Sequence, residues 1–331
     1  MRAWERNGSL SRRNFVGYGA AAAFGGAQLA RAQTVAPPVP GAPKDDAARV
    51  ATSSDSTRRL TVPVYISGVG PFHFVVDTGA DRSVIAEDLA LRLGLVRGHD
   101  VTVQGVVRTI ASQLVAVADV SFGSIERRNL TIPILPRALM GADGYLGLDA
   151  VDGARVTLDF KNQELLVGSS MASSFMRIVR PDEALVPVSG RMGHLRSLNC
   201  RVDGVSTVCF VDTGAEISVG NSRLFSALLE ADPHYVVLGM LPITGITGGV
   251  IMGKVIRLNS IRLHSVTFSD AVVAIADMQI FDVWGLGDSP ALLIGMNWLR
   301  QFERVSIDYR LKEIRFNLAS LMMARNNTRL L

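Results

Sequence analysis

Short apolar runs, cut off by Gly, Asp or Asn after a few residues, dominate the chain from residue 59 onward. Residues 59–66 are rich in β-formers, and 72–76 form an apolar run that stops at Asp77. The Ser67-Gly68-Val69-Gly70 turn between them predicts a hairpin. Further on, 198–202 and 207–211 flank Asp203-Gly204, a second hairpin signal. Apolar residues fall at helical spacing only over 86–95, 224–229 and 297–302. The pattern predicts an all-β chain with a few short helices.

The pattern also repeats. Phe74-Val75-Val76-Asp77-Thr78-Gly79-Ala80-Asp81 recurs as Cys209-Phe210-Val211-Asp212-Thr213-Gly214-Ala215-Glu216, and Ser83-Val84 recurs as Ser218-Val219. Gly144-Tyr145-Leu146-Gly147-Leu148-Asp149 is answered by Leu292-Leu293-Ile294-Gly295-Met296-Asn297. Val156-Thr157-Leu158-Asp159-Phe160 is answered by Val305-Ser306-Ile307-Asp308-Tyr309. Four blocks in one order predict two homologous lobes of ordinary domain size. We divide the chain into an N-terminal lobe at 58–168, a linker at 169–184 and a C-terminal lobe at 185–331. Before the lobes, residues 33–57 are rich in Pro, Ala and Ser and read as a flexible lead-in that could act as a pro-segment.

Composition changes the picture at one place. With 48% hydrophobic and 19% charged residues, a largely disordered chain is excluded. The net charge of +4 suggests nucleic acid until it is located. Arg2, Arg6, Arg12, Arg13 and Arg31 against Glu5 account for all of it within residues 1–32. Those residues read as an export signal. A basic start leads into Ser11-Arg12-Arg13-Asn14-Phe15-Val16, then an Ala/Gly-rich apolar run, then Ala30-Arg31-Ala32. The expectation is a twin-arginine signal peptide at 1–32 and a periplasmic protein with no membrane span once it is cleaved. The alternative is a protein anchored in the membrane by an uncleaved signal. The remainder is formally neutral, so no nucleic-acid partner is expected.

A carboxylate at the end of an apolar strand, with Gly two residues later, sits at the tip of a tight turn. One copy is an ordinary turn; two copies in a tandem repeat place two carboxylates on one pseudo-twofold axis. Such a pair holds one proton between them, so one acid and one base are available at the same pH. That suffices to activate a water against a peptide carbonyl without metal or covalent intermediate.

The two blocks resemble the active-site motif of aspartic proteases of the retropepsin/pepsin type: an apolar pair, Asp-Thr-Gly-Ala, and later two apolar residues and a Gly. The resemblance spans most of 59–318. It implies two acid-protease-type β-barrel lobes, related by a pseudo-twofold axis, with the cleft between them. It also implies an aspartic endopeptidase acting on a polypeptide substrate, without cofactor or metal, as a monomer carrying both lobes. Carried over residue by residue, Asp77 and Asp212 are the catalytic dyad. Thr78 and Thr213 brace the loops, Gly79 and Gly214 keep the backbone close to the carboxylates, and Gly147 and Gly295 lie beneath. The family's flap is assigned to residues 244–249, with Gly245, Ile246 and Gly248. Gly105, within 103–108, is its poorer counterpart in the first lobe. Ala80 and Ala215 carry no hydroxyl to stabilise the charged dyad, so activity is expected at mildly acidic to near-neutral pH.

Other signals are weaker. Residues 248–254 resemble a phosphate-binding loop, but Val255 stands where Ser or Thr is needed. His73, His99, His194, His234 and His264 show no metal-ligand spacing. Asp159 and Asp308 match across the repeat and read as structural. Cys200 and Cys209, the only cysteines, bracket the Asp203-Gly204 turn. A four-residue loop would set them opposite each other for a disulfide, and a two-residue loop would put them out of register, leaving free thiols. The rival from another functional class is a catalytically idle peptide-binding or scaffold protein on the same fold.

Overall fold

The computed structural model describes residues 48–51, 53–54, 60–123, 125–151, 153–170, 182–189 and 196–317. The expected signal at 1–32 lies outside the described residues.

Each lobe is a strongly bent, mainly antiparallel sheet closed on itself, with two parallel pairings in each. In the first, the order runs Leu60–Ile66, Val69–Val76, Gly144–Leu146, Val84–Ala86, Ile125–Leu135, Thr109–Phe122. Tyr65 and Ile66 pair again with Ser121 and Val120, which closes the barrel. The second lobe repeats the arrangement with Arg196–Val202, Val205–Val211, Ala291–Ile294, Val219–Gly220, Val266–Ile275 and Val250–Leu263. It closes through Cys200, Arg201 and Val202 against Leu263, Arg262 and Ile261. Alternation along the first strand explains the closure: Val62, Val64 and Ile66 are buried while Tyr65 is exposed. Burying each large apolar side chain contributes about 1.5–3 kcal/mol. Phe74, Phe122 and Leu135 fill the first core, and Ile256, Leu263 and Trp298 the second.

A third sheet belongs to neither lobe alone. Its order is Ala48–Ala51, Glu164–Ser169, Ala154–Asp159, Arg304–Asp308, Glu313–Asn317, Glu183–Pro187. At its centre Thr157 pairs with its repeat mate Ser306, and their hydroxyl oxygens are 2.8 Å apart. The pseudo-twofold axis passes there. On either side, Arg155 pairs with Asp308 at 3.0 Å and Arg304 with Asp159 at 2.5 Å. Asp308 also accepts from the Ser170 hydroxyl and the Leu311 amide. The matched aspartates thus tie one lobe to the other.

This sheet revises the boundaries. Ala48–Ala51 pairs with the hairpin strand Glu164–Ser169, as Glu183–Pro187 pairs with Glu313–Asn317. Each lobe therefore begins with an equivalent edge strand. The segment expected as a lead-in is part of the sheet at its C-terminal end, and the second lobe begins inside the expected linker. Alternation in four residues next to a Pro-rich stretch is too short a signal to reveal such a strand.

The second-lobe hairpin also differs from the simple register. Val202 pairs with Val205, so the loop is the two residues Asp203 and Gly204, both at positive φ. Cys200 then faces Thr207, yet Cys200 and Cys209 are joined in a disulfide with Cα atoms 6.1 Å apart. A bulge between Ser197 and Cys200 shifts the register and turns the two cysteines toward each other.

Candidate active site

Asp77 and Asp212 stand where their apolar strands end. The parallel neighbours Gly144–Leu146 and Ala291–Ile294 hold them there: Leu146 O accepts from the Asp77 amide and Ile294 O from the Asp212 amide, both at 3.0 Å. Each loop then bends back on its own carboxylate. The Gly79 amide donates to Asp77 Oδ1 at 2.9 Å, and the Gly214 amide to Asp212 Oδ1 at 2.8 Å.

Thr78 and Thr213 interlock the loops. The Thr78 amide donates to Thr213 Oγ1 at 3.0 Å, and the Thr213 amide to Thr78 Oγ1 at 3.1 Å. Thr213 Oγ1 donates onward to Val76 O at 2.8 Å. Both threonines are buried.

Beneath the loops Gly147 and Gly295 lie against backbone: Gly147 on Arg82 and Ser83, Gly295 on Ala215 and Ile217. A side chain at either position has no room. Ser83 and Ser218 receive the amides of those glycines at 3.0 and 2.9 Å. Ser83 donates to Asp149 and Ser218 to Asn297. Asp149 and Asn297, which differ in charge, thus do the same work as acceptors. This serine–acceptor pair was visible in the repeat as Ser83/Ser218, but its partner could only be found in space.

The two carboxylates share one site. A Cβ built on Gly79 would stand 2.8 Å from Asp212 Cγ. Burial and then the charge of Asp212 push the Asp77 carboxyl well above the usual carboxylate range, helped by a hydrogen bond with Asp212; the Gly79 and Ala80 amides pull the other way. The site therefore favours one proton on the pair at pH values where isolated carboxyls are ionised. Ala80 and Ala215 flank the acids and offer no hydroxyl.

Over the site, the two expected flap turns meet. Arg108 Nε donates to Thr247 O at 2.8 Å, and Thr247 Oγ1 returns a bond to Arg108 O at 2.6 Å. Gly105 packs directly on the Thr247 side chain, and Gly248, at φ 79°, lies under the Arg108 guanidinium. Gly245 and Ile246 line the space below. Arg108 and Thr247 are not legible as site residues in the sequence, because nothing in either segment alone marks two turns from different lobes as partners. The stretch 248–254 runs into the strand Val250–Leu263 and not into a helix.

Between these turns and the two carboxylates lies a cavity of about 490 Å³. Asp212, Gly79, Ala80, Gly214 and Ala215 form its floor, with Met278, Ile280 and Trp284 on an apolar wall. Among the described residues no group of three His, Cys, Asp or Glu side chains is placed to hold a metal ion.

Tyr309 comes up from the shared sheet. It packs against both lobe cores, and its hydroxyl is buried without a hydrogen-bond partner, close to Thr78. Burial and the charges of Asp77 and Asp212 keep the phenol from ionising, against a smaller opposing pull from Thr78. Its repeat mate is Phe160, so the hydroxyl breaks the symmetry beneath the two carboxylates.

The family model described as aspartyl protease matches the chain twice, over residues 62–150 and 198–298. The two matches fall one on each lobe. No curated protein matches the chain.

Proposed function

The chain belongs to the aspartyl protease family, and we propose that it is an endopeptidase whose single active site combines Asp77 and Asp212. The observation that carries this reading is the pair of interlocked Asp-Thr-Gly loops, which sets the two carboxylates against each other's glycine.

The chemistry follows from the shared proton. Asp77, the carboxyl raised by burial and by its neighbour, is assigned the shared proton, and Asp212 the role of the base. Asp212 takes a proton from a water as that water attacks the scissile carbonyl carbon, and Asp77 gives its proton to the carbonyl oxygen. The tetrahedral intermediate collapses when Asp212 returns its proton to the leaving nitrogen and Asp77 takes one back from a hydroxyl of the intermediate, which breaks the C–N bond and restores one proton on the pair. The substrate is an extended polypeptide lying between flaps and dyad, paired to backbone as an added strand. To enter, it separates the Arg108–Thr247 contact. Its side chains at the cut meet the apolar wall of Met278, Ile280 and Trp284.

The test is turnover itself. An unstructured protein is incubated with wild type, Asp77→Asn and Asp212→Asn over a range of pH, with and without a pepstatin-type inhibitor. The proposal expects cleavage by wild type only, blocked by the inhibitor. No cleavage by any of the three would favour the idle peptide binder; full activity of Asp212→Asn would end the single-chain dyad.

The twin-arginine pattern at Arg12-Arg13 and the Ala30-Arg31-Ala32 site support export to the periplasm with cleavage after Ala32. Cell fractionation with N-terminal sequencing tests this. A protein retained in the membrane fraction with Arg12-Arg13 intact would point to the anchored form.

A further inference from the structure

Four residues lie in one row across the outer face of the second-lobe barrel. Ser206 pairs with Arg201, Arg201 with Arg262, and Arg262 with Thr267, so all four side chains point the same way. All four are exposed. Two arginines directly opposite each other on neighbouring strands repel, which destabilises the pair unless something compensates the charge.

Nothing in the described structure does so. Arg201 uses one guanidinium nitrogen on Gly204 O at 2.9 Å. Arg262 makes no hydrogen bond or ion pair among the described residues. The nearby acid Asp203 is occupied by the Tyr235 hydroxyl and by the Asn259 and Ser260 amides. Asp270 is engaged by Arg257. The fold does not need the pair: the equivalent positions that close the first barrel are Tyr65 and Ser121.

The arginines border a cavity of about 240 Å³, whose other walls include Asn199, Ser206 and His264. It shares no residue with the cleft. Its rim thus offers two guanidinium forks, a hydroxyl, a side-chain amide and an imidazole, with no carboxylate among them. Planar forks match the oxygens of a tetrahedral oxyanion, and a dianion between them turns the repulsion into two charge-assisted contacts. We propose that Arg201 and Arg262, with Ser206 and His264, form a phosphate-binding site on the back of the second lobe.

The phosphate could come from a soluble phosphate or from a phosphomonoester lipid headgroup, and the experiment separates them. Inorganic phosphate is titrated into the full-length protein by calorimetry at constant ionic strength, with chloride as the reference anion. Wild type should bind phosphate well above chloride. Arg262→Gln and Arg201→Gln should each weaken binding at least tenfold. Arg262→Lys, which keeps the charge and loses the fork, should fall between. Asp212→Asn should bind like wild type, since the site is separate from the cleft and from proteolysis. A second arm uses vesicles with and without phosphatidic acid. Sedimentation with the phosphatidic acid vesicles, lost in the Arg201→Gln/Arg262→Gln double variant, assigns the headgroup; phosphate binding without sedimentation assigns the soluble source. Phosphate no tighter than chloride together with no double-variant effect on vesicle binding overturns the proposal. So does equal binding by Arg262→Lys and wild type, because a diffuse field of positive charge would explain it.

Discussion

Gly214 lies against the carboxylate of Asp77 so closely that a Cβ there would stand 2.5 Å from Asp77 Cγ. The carboxylate cannot step aside freely, because Gly79 and Ala80 amides hold it. Gly214→Ala should therefore displace Asp77 and cost at least a hundredfold in kcat, with the circular dichroism spectrum unchanged. Unchanged kcat would mean that the dyad tolerates misplacement.

Asp77 has the opposite sign from most carboxylates. Its folded-state pKa is raised, so the stability it lends is present below the ordinary carboxyl range and lost as pH rises through the raised value. Asp77→Asn removes that loss. Its Tm should exceed wild type near neutral pH and match it at about pH 3, each unit of pKa separation being worth about 1.4 kcal/mol. A Tm difference independent of pH would contradict this.

Thr213→Val keeps the volume and removes the hydroxyl. It leaves the buried Thr78 amide without its acceptor and Val76 O without its donor. A loss of about 2–4 kcal/mol in urea denaturation is expected, with Thr213→Ser close to wild type.

Asp159 behaves conventionally. Burial raises its pKa, but the Asn162 amide, Arg304 and the Asn162 side chain together outweigh this and lower it. Its contribution is present above the ordinary carboxyl range and lost as pH falls through the depressed value. Asp159→Asn should cost about 1–3 kcal/mol near neutral pH and become harmless in strong acid. Tm against pH for both proteins checks it.

Tyr309→Phe copies Phe160, its repeat mate. Because the hydroxyl is buried without a hydrogen-bond partner, its removal should leave stability unchanged or raise it by about 1 kcal/mol. A clear fall in Tm would show that the hydroxyl is bonded in solution.

Much of this molecule was legible in the residues. That Asp77 and Asp212 belong together is legible because an apolar strand stopped by Asp-Thr-Gly is a local signal, and its recurrence removes the ambiguity of a single turn. The same repeat exposed Thr78 and Thr213, Gly147 and Gly295, and the matched Asp159 and Asp308. The register of Cys200 and Cys209 was not legible, because a bulge is a property of two strands together and leaves no mark in one. Nor was Ala48–Ala51, a strand only because Glu164–Ser169 lies beside it.

The repeat and the order of its blocks were thus determined by the chain itself, because residue type and period report how each short segment meets water and turns. Which distant segments become neighbours was decided by the tertiary structure alone. Arg108 against Thr247, Thr157 against Ser306 and Arg201 against Arg262 each join strands or turns far apart in the chain. Their pairing depends on barrel closure and on the packing of two lobes about one axis, and neither is written in the pattern of any single segment.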